Sequence, residues 1–212
     1  MIFFAKNFKN LSITQIKEKT RILFIDDQSR DDIIDYLKEE GWTAHLLKDT
    51  EFKAIDNSEI KDHHIICVDI KGVGIALKKE KEGLDIAVSI KKNYPHKKVI
   101  LYSSQATHDI FHEANDLIDK RIYKSSGDFE VFKDAIEVLG KEIFNWENMV
   151  LFSYNKYKEY FPADVTIEKY KKIIQKLVAT GSINVHTISK KLSIAANIAQ
   201  ILHFMLQVFS SK

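Results

Sequence analysis

Two adjacent aspartates follow directly after an apolar run near the start of the chain. The segment RILFIDDQS places Asp26 and Asp27 immediately behind Ile22 to Ile25. Burying a carboxylate costs several kcal/mol unless a donor or a cation compensates the charge. Acids near a helix start are favoured by the helix dipole, and acids grouped with other oxygen ligands bind cations. The pair therefore indicates either a helix start or a cation site, and this segment alone leaves both open.

Polar residues also end the later apolar runs. Asp69 ends the run IICVDI, Ser103 and Ser104 end VILYSS, and Lys124 follows RIY. If these runs are parallel strands of one sheet, their carboxyl ends meet at one edge, where such sheets bind ligands. Three carboxylates, a hydroxyl and an ammonium group would then line a single shallow pocket.

The residue types in this pocket suit phosphoryl transfer to a carboxylate. Carboxylate oxygens are hard ligands for Mg²⁺, which keeps several waters and often shares a phosphate oxygen. Three close acids would repel one another unless a cation lay between them. A lysine and a serine hydroxyl can contact an incoming anion, while the metal neutralises developing charge and one aspartate attacks.

The pattern of elements supports that placement. Apolar runs alternate with helical patterns through residues 21–143, and five such runs predict an open, doubly wound parallel sheet with helices on both faces. After residue 144 no further strand is evident. Aromatic and apolar residues recur there at helical spacing, which predicts an all-helical C-terminal appendage. We therefore expect an N-terminal extension over 1–20, an α/β domain over 21–143 and a helical domain over 144–212.

Composition limits the remaining classes. The chain has 212 residues, 45% of them apolar, and a formal net charge of +2, so overall charge gives no case for nucleic acid or a membrane. Cys67 is the one cysteine, which excludes an intrachain disulfide and a zinc site of several thiolates. No run reaches the roughly 18 apolar residues of a membrane span. These features predict a cytoplasmic protein that does not enter a membrane.

The ordered motifs resemble the receiver domain of two-component response regulators, which has a flavodoxin-like fold. The resemblance covers about residues 20–143. It implies that Asp26 and Asp27 bind Mg²⁺ and that Asp69 accepts a phosphoryl group from a histidine kinase or phosphotransfer protein. By the same resemblance Ser103 and Lys124 contact the phosphoryl group, and the carbonyl of Lys71 also binds the metal. Such a chain is a phosphoacceptor rather than an enzyme, apart from self-catalysed phosphotransfer and dephosphorylation.

Several residues depart from the family pattern. Ser125 stands where a proline usually follows the lysine, and Arg121 holds the position of the usual aromatic switch residue. The loop KGVGIALKKEKEG, residues 71–83, is longer than usual and rich in lysine. These departures leave the acidic residues in place but affect the segments that transmit activation.

The C-terminal region has the helix spacing of a helix-turn-helix motif in residues 176–204. Its last helix offers Asn197 and Gln200 as possible base contacts, but no Arg or Lys before Lys212. A helix that is apolar over most of its surface is buried or pairs with another protein. We therefore expect a homodimer or protein-partner module, with DNA binding as the second possibility.

Two functional hypotheses follow. In the first, the chain is a response regulator whose phosphorylation on Asp69 controls the helical module. In the second, it is a receiver-like scaffold that acts without phosphorylation, as the long loop and Ser125 would favour. The presence of all five residues at the expected strand ends favours the first: Asp26, Asp27, Asp69, Ser103 and Lys124.

Overall fold

The computed structural model describes residues 11–56, 58–75, 82–103, 117–123, 129–207 and 209. The chain divides into two compact units. One unit spans Ser12–Lys141, and the other contains the C-terminal part of the chain from Glu142. Each unit has its own hydrophobic core and is described separately below.

The first unit is built on a five-stranded parallel sheet in the order β2-β1-β3-β4-β5. Its strands are β1 (Arg21–Asp26), β2 (Thr43–Lys48), β3 (Ile65–Asp69), β4 (Lys98–Ser103) and β5 (Lys120–Tyr123). The order reverses between β1 and β3, which is the switch point of a flavodoxin-like sheet. The prediction of a doubly wound parallel sheet with this fold is therefore confirmed.

The helices of this unit alternate with its strands. They are α1 (Ile13–Lys19), α2 (Asp31–Glu39), α3 (Ser58–Asp62), α4 (Gly83–Asn93) and α5 (Phe129–Ile143). The helix expected from the segment THDIFHEANDLI, between β4 and β5, lies mostly outside the described residues.

Both faces of the sheet are covered, because successive strand residues point to opposite sides. On one face Leu23 and Ile25 pack with residues of α3 and α4, including Ile60, Leu84 and Ile90. On the other face the rings of Phe24, Tyr102 and Phe132 contact one another at centroid distances of 5.5–6.0 Å. The central strands are therefore buried on both sides, which explains their continuous apolar runs.

Helix α1 lies within residues 1–20, for which the sequence pattern predicts only an N-terminal extension. Ser12 and Gln15 form a capping box at its start. Ile16 is buried, and the Lys17 ammonium lies over the Trp42 ring and donates to the carbonyl of Glu40. Helix α1 is therefore packed as part of the first unit.

The second unit is helical throughout its described part. It contains α6 (Trp146–Tyr157), α7 (Ile167–Ala179), α8 (Val185–Leu192) and α9 (Ala196–Gln207). Its core includes the fully buried residues Tyr170, Ile174, Ile188, Ala199 and Leu202. The Tyr170 hydroxyl lies 2.8 Å from Ser153 Oγ, so this buried polar pair is satisfied within the core. The prediction of an all-helical C-terminal region is confirmed.

In the residues that the structure describes, no helix has the length and apolar character needed to cross a membrane.

Candidate functional site

Three carboxylates meet at the carboxyl ends of the two central strands. Strands β1 and β3 are parallel neighbours, and they end at Asp26 and Asp69. Asp26, Asp27 and Asp69 each offer an oxygen, and these oxygens lie within 4.8 Å of one another. Asp26 is fully buried and Asp69 is 5% exposed, whereas Asp27 is exposed. The geometry is compact enough for the three acids to contact one cation.

Asp26 is held by several donors of the protein. Its Oδ2 accepts a hydrogen bond from the Tyr102 hydroxyl at 2.9 Å, and its Oδ1 accepts one from the Gln28 N–H at 3.0 Å. The Nε atom of Arg30 lies 3.6 Å from the same Oδ2. Helix α2 begins only at Asp31, with Arg30 at its N-cap. The two adjacent aspartates therefore lie outside the first turn of α2 and do not act as its cap.

Tyr102 supplies the most buried of these donors. It is the penultimate residue of β4 and pairs in register with Asp69 on β3. Burial first, and the nearby Asp26 carboxylate next, raise the pKa of Tyr102 well above its usual value. The phenol therefore stays protonated and donates to Asp26, while its ring packs against Phe24 and Phe132.

The backbone after Asp69 is packed tightly against the start of α4. The N–H of Gly83 donates to the carbonyl of Ile70 at 3.1 Å. A Cβ on Gly83 would lie 1.7 Å from the carbonyl oxygen of Asp69, far inside any allowed contact. Only glycine fits there, because any side chain at position 83 would displace the backbone of Asp69.

The start of the long loop is fixed beside the acids. The N–H of Lys71 donates to Asp69 Oδ1 at 3.4 Å. Gly72 has φ +78, and a Cβ built on it would lie 2.4 Å from Asp27 Oδ2. The Gly72 N–H donates to Glu82 Oε2 at 2.8 Å, and the Lys71 ammonium lies 3.8 Å from Glu82 Oε1. Glu82 thus connects the end of the loop to its beginning.

The remaining predicted residues lie on β4 and after β5. Ser103 ends β4, is 4% exposed and pairs in register with Tyr123. Lys124 follows Tyr123 directly, but Lys124 lies outside the described residues, as do Ser104 and Ser125. The structure therefore brings Asp26, Asp27, Asp69 and the Lys71 backbone together, and places Ser103 at the end of the strand next to β3.

Three contributors to this region were missed from sequence: Tyr102, Arg30 and Glu82. Tyr102 occupies an apolar strand, where an aromatic residue normally indicates core packing. Arg30 and Glu82 lie in polar segments where charged residues are expected in solvent. Their roles depend on which strands and loops become neighbours, and no spacing signal in the sequence identifies them.

Among the comparisons with known proteins, only the one with solved structures finds similar chains. No family model matches the chain, and neither does any curated protein. The chain is similar to the response regulator protein TrrA from Thermotoga maritima, solved in complex with Mg²⁺-BeF, at 23% identity and TM-score 0.46, over 57% of this chain and 98% of that chain.

Two longer structures are also similar to the chain. RcsB from Salmonella enterica serovar Typhimurium, solved bound to a promoter, has 19% identity and TM-score 0.47, over 92% of this chain and 94% of that one. The response regulator StyR has 13% identity and TM-score 0.48, over 92% and 93% respectively. The likeness concerns the fold, which the strand order of the first unit establishes independently.

Proposed function

We propose that this chain is a response regulator whose first unit accepts a phosphoryl group on Asp69. The observation that carries the proposal is the meeting of Asp26, Asp27 and Asp69 oxygens within 4.8 Å. Among the residues that the structure describes, no other group of three acids, histidines or cysteines comes as close. Residues 21–143 would form the phosphoacceptor domain and 144–212 the module that it controls.

The acid cluster fits Mg²⁺. All three side chains offer hard oxygen ligands, and Asp26 and Asp69 are buried acids for which a divalent cation offsets mutual repulsion. The carbonyl of Lys71 is the proposed backbone ligand. The bound ion would supply charge neutralisation for the transferred phosphoryl group.

The reaction is the transfer of a phosphoryl group from the donor to a carboxylate oxygen. A carboxylate oxygen of Asp69 forms the new bond to phosphorus, and the bond from phosphorus to the donor breaks with its electron pair leaving on the donor. Ser103, at the end of β4, and Lys124 are the proposed contacts to the phosphoryl oxygens. A histidine kinase or a phosphotransfer protein is the proposed donor.

Intact mass spectrometry tests this proposal directly. The full chain is incubated with acetyl phosphate and Mg²⁺, and we expect a mass increase of one phosphoryl group. Asp69→Asn should abolish the adduct, and omission of Mg²⁺ should prevent it. Asp35→Asn is the matched control, because Asp35 lies on the exposed surface of α2 with its side chain 69% accessible.

The same experiment separates the two functional hypotheses. Absence of an adduct in the wild-type chain at every Mg²⁺ concentration would support the phosphorylation-independent scaffold. An adduct that persists in Asp69→Asn would place the acceptor elsewhere. Either result contradicts the proposed role of Asp69.

DNA binding by the helical unit is a second candidate function, which a charge asymmetry favours. Helices α7 to α9, from Ile167 to Gln207, contain six lysines and one glutamate. Ser193 has a left-handed conformation, and a turn of three residues joins α8 to α9. The outward face of α9 presents Asn197, Gln200 and Gln207, which are side chains that can contact base edges. Two lysine-rich helices, α7 and α8, followed by the amide-bearing α9 give this unit a local basic charge that the net charge of +2 for the whole chain does not indicate.

Fluorescence anisotropy with a random-sequence DNA duplex tests this second function. We expect binding that weakens steeply with salt, because lysines release counterions from the phosphates. Lys190→Ala and Lys191→Ala should each reduce the salt slope by about one. Lys156→Ala is the control, because Lys156 is an exposed lysine of α6, outside α7 to α9. Duplex binding without salt sensitivity, or none at all, would leave a protein partner or a homodimer as the target of this unit.

A further inference from the structure

We propose that Glu82 is a positioning residue that aims the backbone carbonyl of Lys71 at the metal site. The proposal rests on the proposed function, because it concerns the ligands of the same ion. A hydrogen bond between the two ends of the long loop supports it: the backbone at the start of the loop donates to a carboxylate at its end. Glu82 lies ten residues after Gly72 in sequence, and its Oε2 accepts the Gly72 N–H at 2.8 Å.

The contact with Glu82 affects the Lys71 carbonyl through a single peptide group. The Lys71 carbonyl and the Gly72 N–H belong to the same peptide group, and no cis peptide bond occurs in the described residues. In a trans peptide the C=O and the N–H point in opposite directions. Fixing the N–H on Glu82 therefore fixes the Lys71 carbonyl on the side away from Glu82.

Two of the clustered acids lie beside the residues that this peptide joins. On its N-terminal side the Lys71 N–H donates to Asp69 Oδ1 at 3.4 Å. On its C-terminal side, a Cβ built on Gly72 would lie 2.4 Å from Asp27 Oδ2, so the Asp27 carboxylate packs against Gly72. The two residues that this peptide joins therefore lie beside two of the three clustered acids, and a carbonyl of fixed direction there would add a neutral oxygen to their ligand set.

The backbone of Glu82 is itself held in an unusual conformation. Glu82 has φ 48 and ψ −127, a left-handed value that a residue with a side chain rarely adopts. Its carbonyl accepts the N–H of Asp85 at 3.1 Å at the start of α4, and Gly83 packs beneath Asp69. Such strain persists where the surrounding structure fixes it. Glu82 thus joins the start of α4 to the turn after Asp69.

Isothermal titration of the unphosphorylated full chain with MgCl₂ tests this role. We expect Glu82→Ala to weaken Mg²⁺ binding about tenfold, the size found when groups that orient metal ligands are removed. Glu82→Gln should restore most of the affinity, because its amide oxygen still accepts the Gly72 N–H. Glu39→Ala is the matched control: Glu39 is an exposed acid at the end of α2, and its removal should leave Mg²⁺ affinity as in the wild type.

The variants distinguish positioning from charge and from folding. Equal loss in Glu82→Gln and Glu82→Ala would show that the negative charge acts, and would overturn the proposal. Wild-type affinity in Glu82→Ala would overturn it as well. A fall in the urea midpoint of Glu82→Ala in EDTA as large as that of Leu23→Ala, a substitution in the core of the first unit, would show a merely structural role and overturn the proposal. If the wild-type chain binds no Mg²⁺, the proposed function fails together with this inference.

Discussion

The hydroxyl of Tyr102 donates a hydrogen bond to Oδ2 of Asp26 at 2.9 Å, and both residues are fully buried. The contact joins β4 to β1 across the intervening strand β3. It compensates a carboxylate that has no direct access to solvent. Tyr102 therefore links the aromatic core on one face of the sheet to the acid cluster at its edge.

Tyr102→Phe is expected to lower the free energy of unfolding by about 1–3 kcal/mol, because a buried acceptor loses its donor. Urea denaturation in EDTA measures the change without a metal contribution. Tyr36→Phe is the control, since the Tyr36 hydroxyl donates to Glu130 at the surface and its loss should leave the urea midpoint unchanged. A Tyr102→Phe chain as stable as the wild type would mean that Asp26 does not depend on this hydroxyl.

Gly83→Ala is expected to displace Asp69, since its Cβ would lie 1.7 Å from the Asp69 carbonyl oxygen. Overpacking of this kind costs about 1–3 kcal/mol. The increase in melting temperature that Mg²⁺ produces should also disappear. Gly181→Ala is the control: Gly181 has φ +66 with nothing within 4 Å, so that variant should lose stability and keep the response to Mg²⁺. Retention of the Mg²⁺ response in Gly83→Ala would contradict the prediction.

The sheet was predictable because its strands are buried on both faces. Runs such as ILFI and IICV are apolar without alternation, and the intervening segments have helical spacing, so their order along the chain indicates a doubly wound sheet. The cluster of Asp26, Asp27 and Asp69 follows from the same argument, since each residue ends or follows a central strand. The strand pattern alone was sufficient to bring them together.

Other features depend on neighbours that the strand pattern does not define. The Tyr102 hydroxyl reaches Asp26 only through the register of β4 on β3. Glu82 reaches Gly72 only through the path of the long loop. Helix α1 is different, because the spacing of Ser12 and Gln15 is a capping-box signal that the sequence itself carries.

His64 is expected to make the chain less stable as the pH falls from about 6.5 to about 4. Burial, and then the charges of Lys97, Arg21 and His63, lower the pKa of His64 to about 4 in the folded chain. The unfolded chain, with the ordinary value of 6.5, therefore binds more protons in this window, and stability is lost as the pH decreases. The loss is at most about 1.4 kcal/mol per pH unit.

His64→Asn provides the measurement. Its side-chain oxygen can still accept the Arg21 N–H, which His64 Nδ1 accepts at 3.1 Å, and it does not titrate. Urea midpoints at pH 7 and pH 5 should differ less in the variant than in the wild type. Equal differences in the two proteins would show that His64 does not contribute to the pH dependence.

Cys67 is expected to react with a thiol reagent only when the first unit opens. The residue lies in the middle of β3, is fully buried and pairs in register with Phe24 and Ile100. Burial raises the pKa of its thiol, so little thiolate forms even where reagent could enter. The rate of reaction with a disulfide reagent should therefore increase with urea in parallel with unfolding followed by circular dichroism. Rapid stoichiometric labelling without urea would show that β3 is accessible in the native chain, and would contradict the buried central strand on which the acid cluster depends.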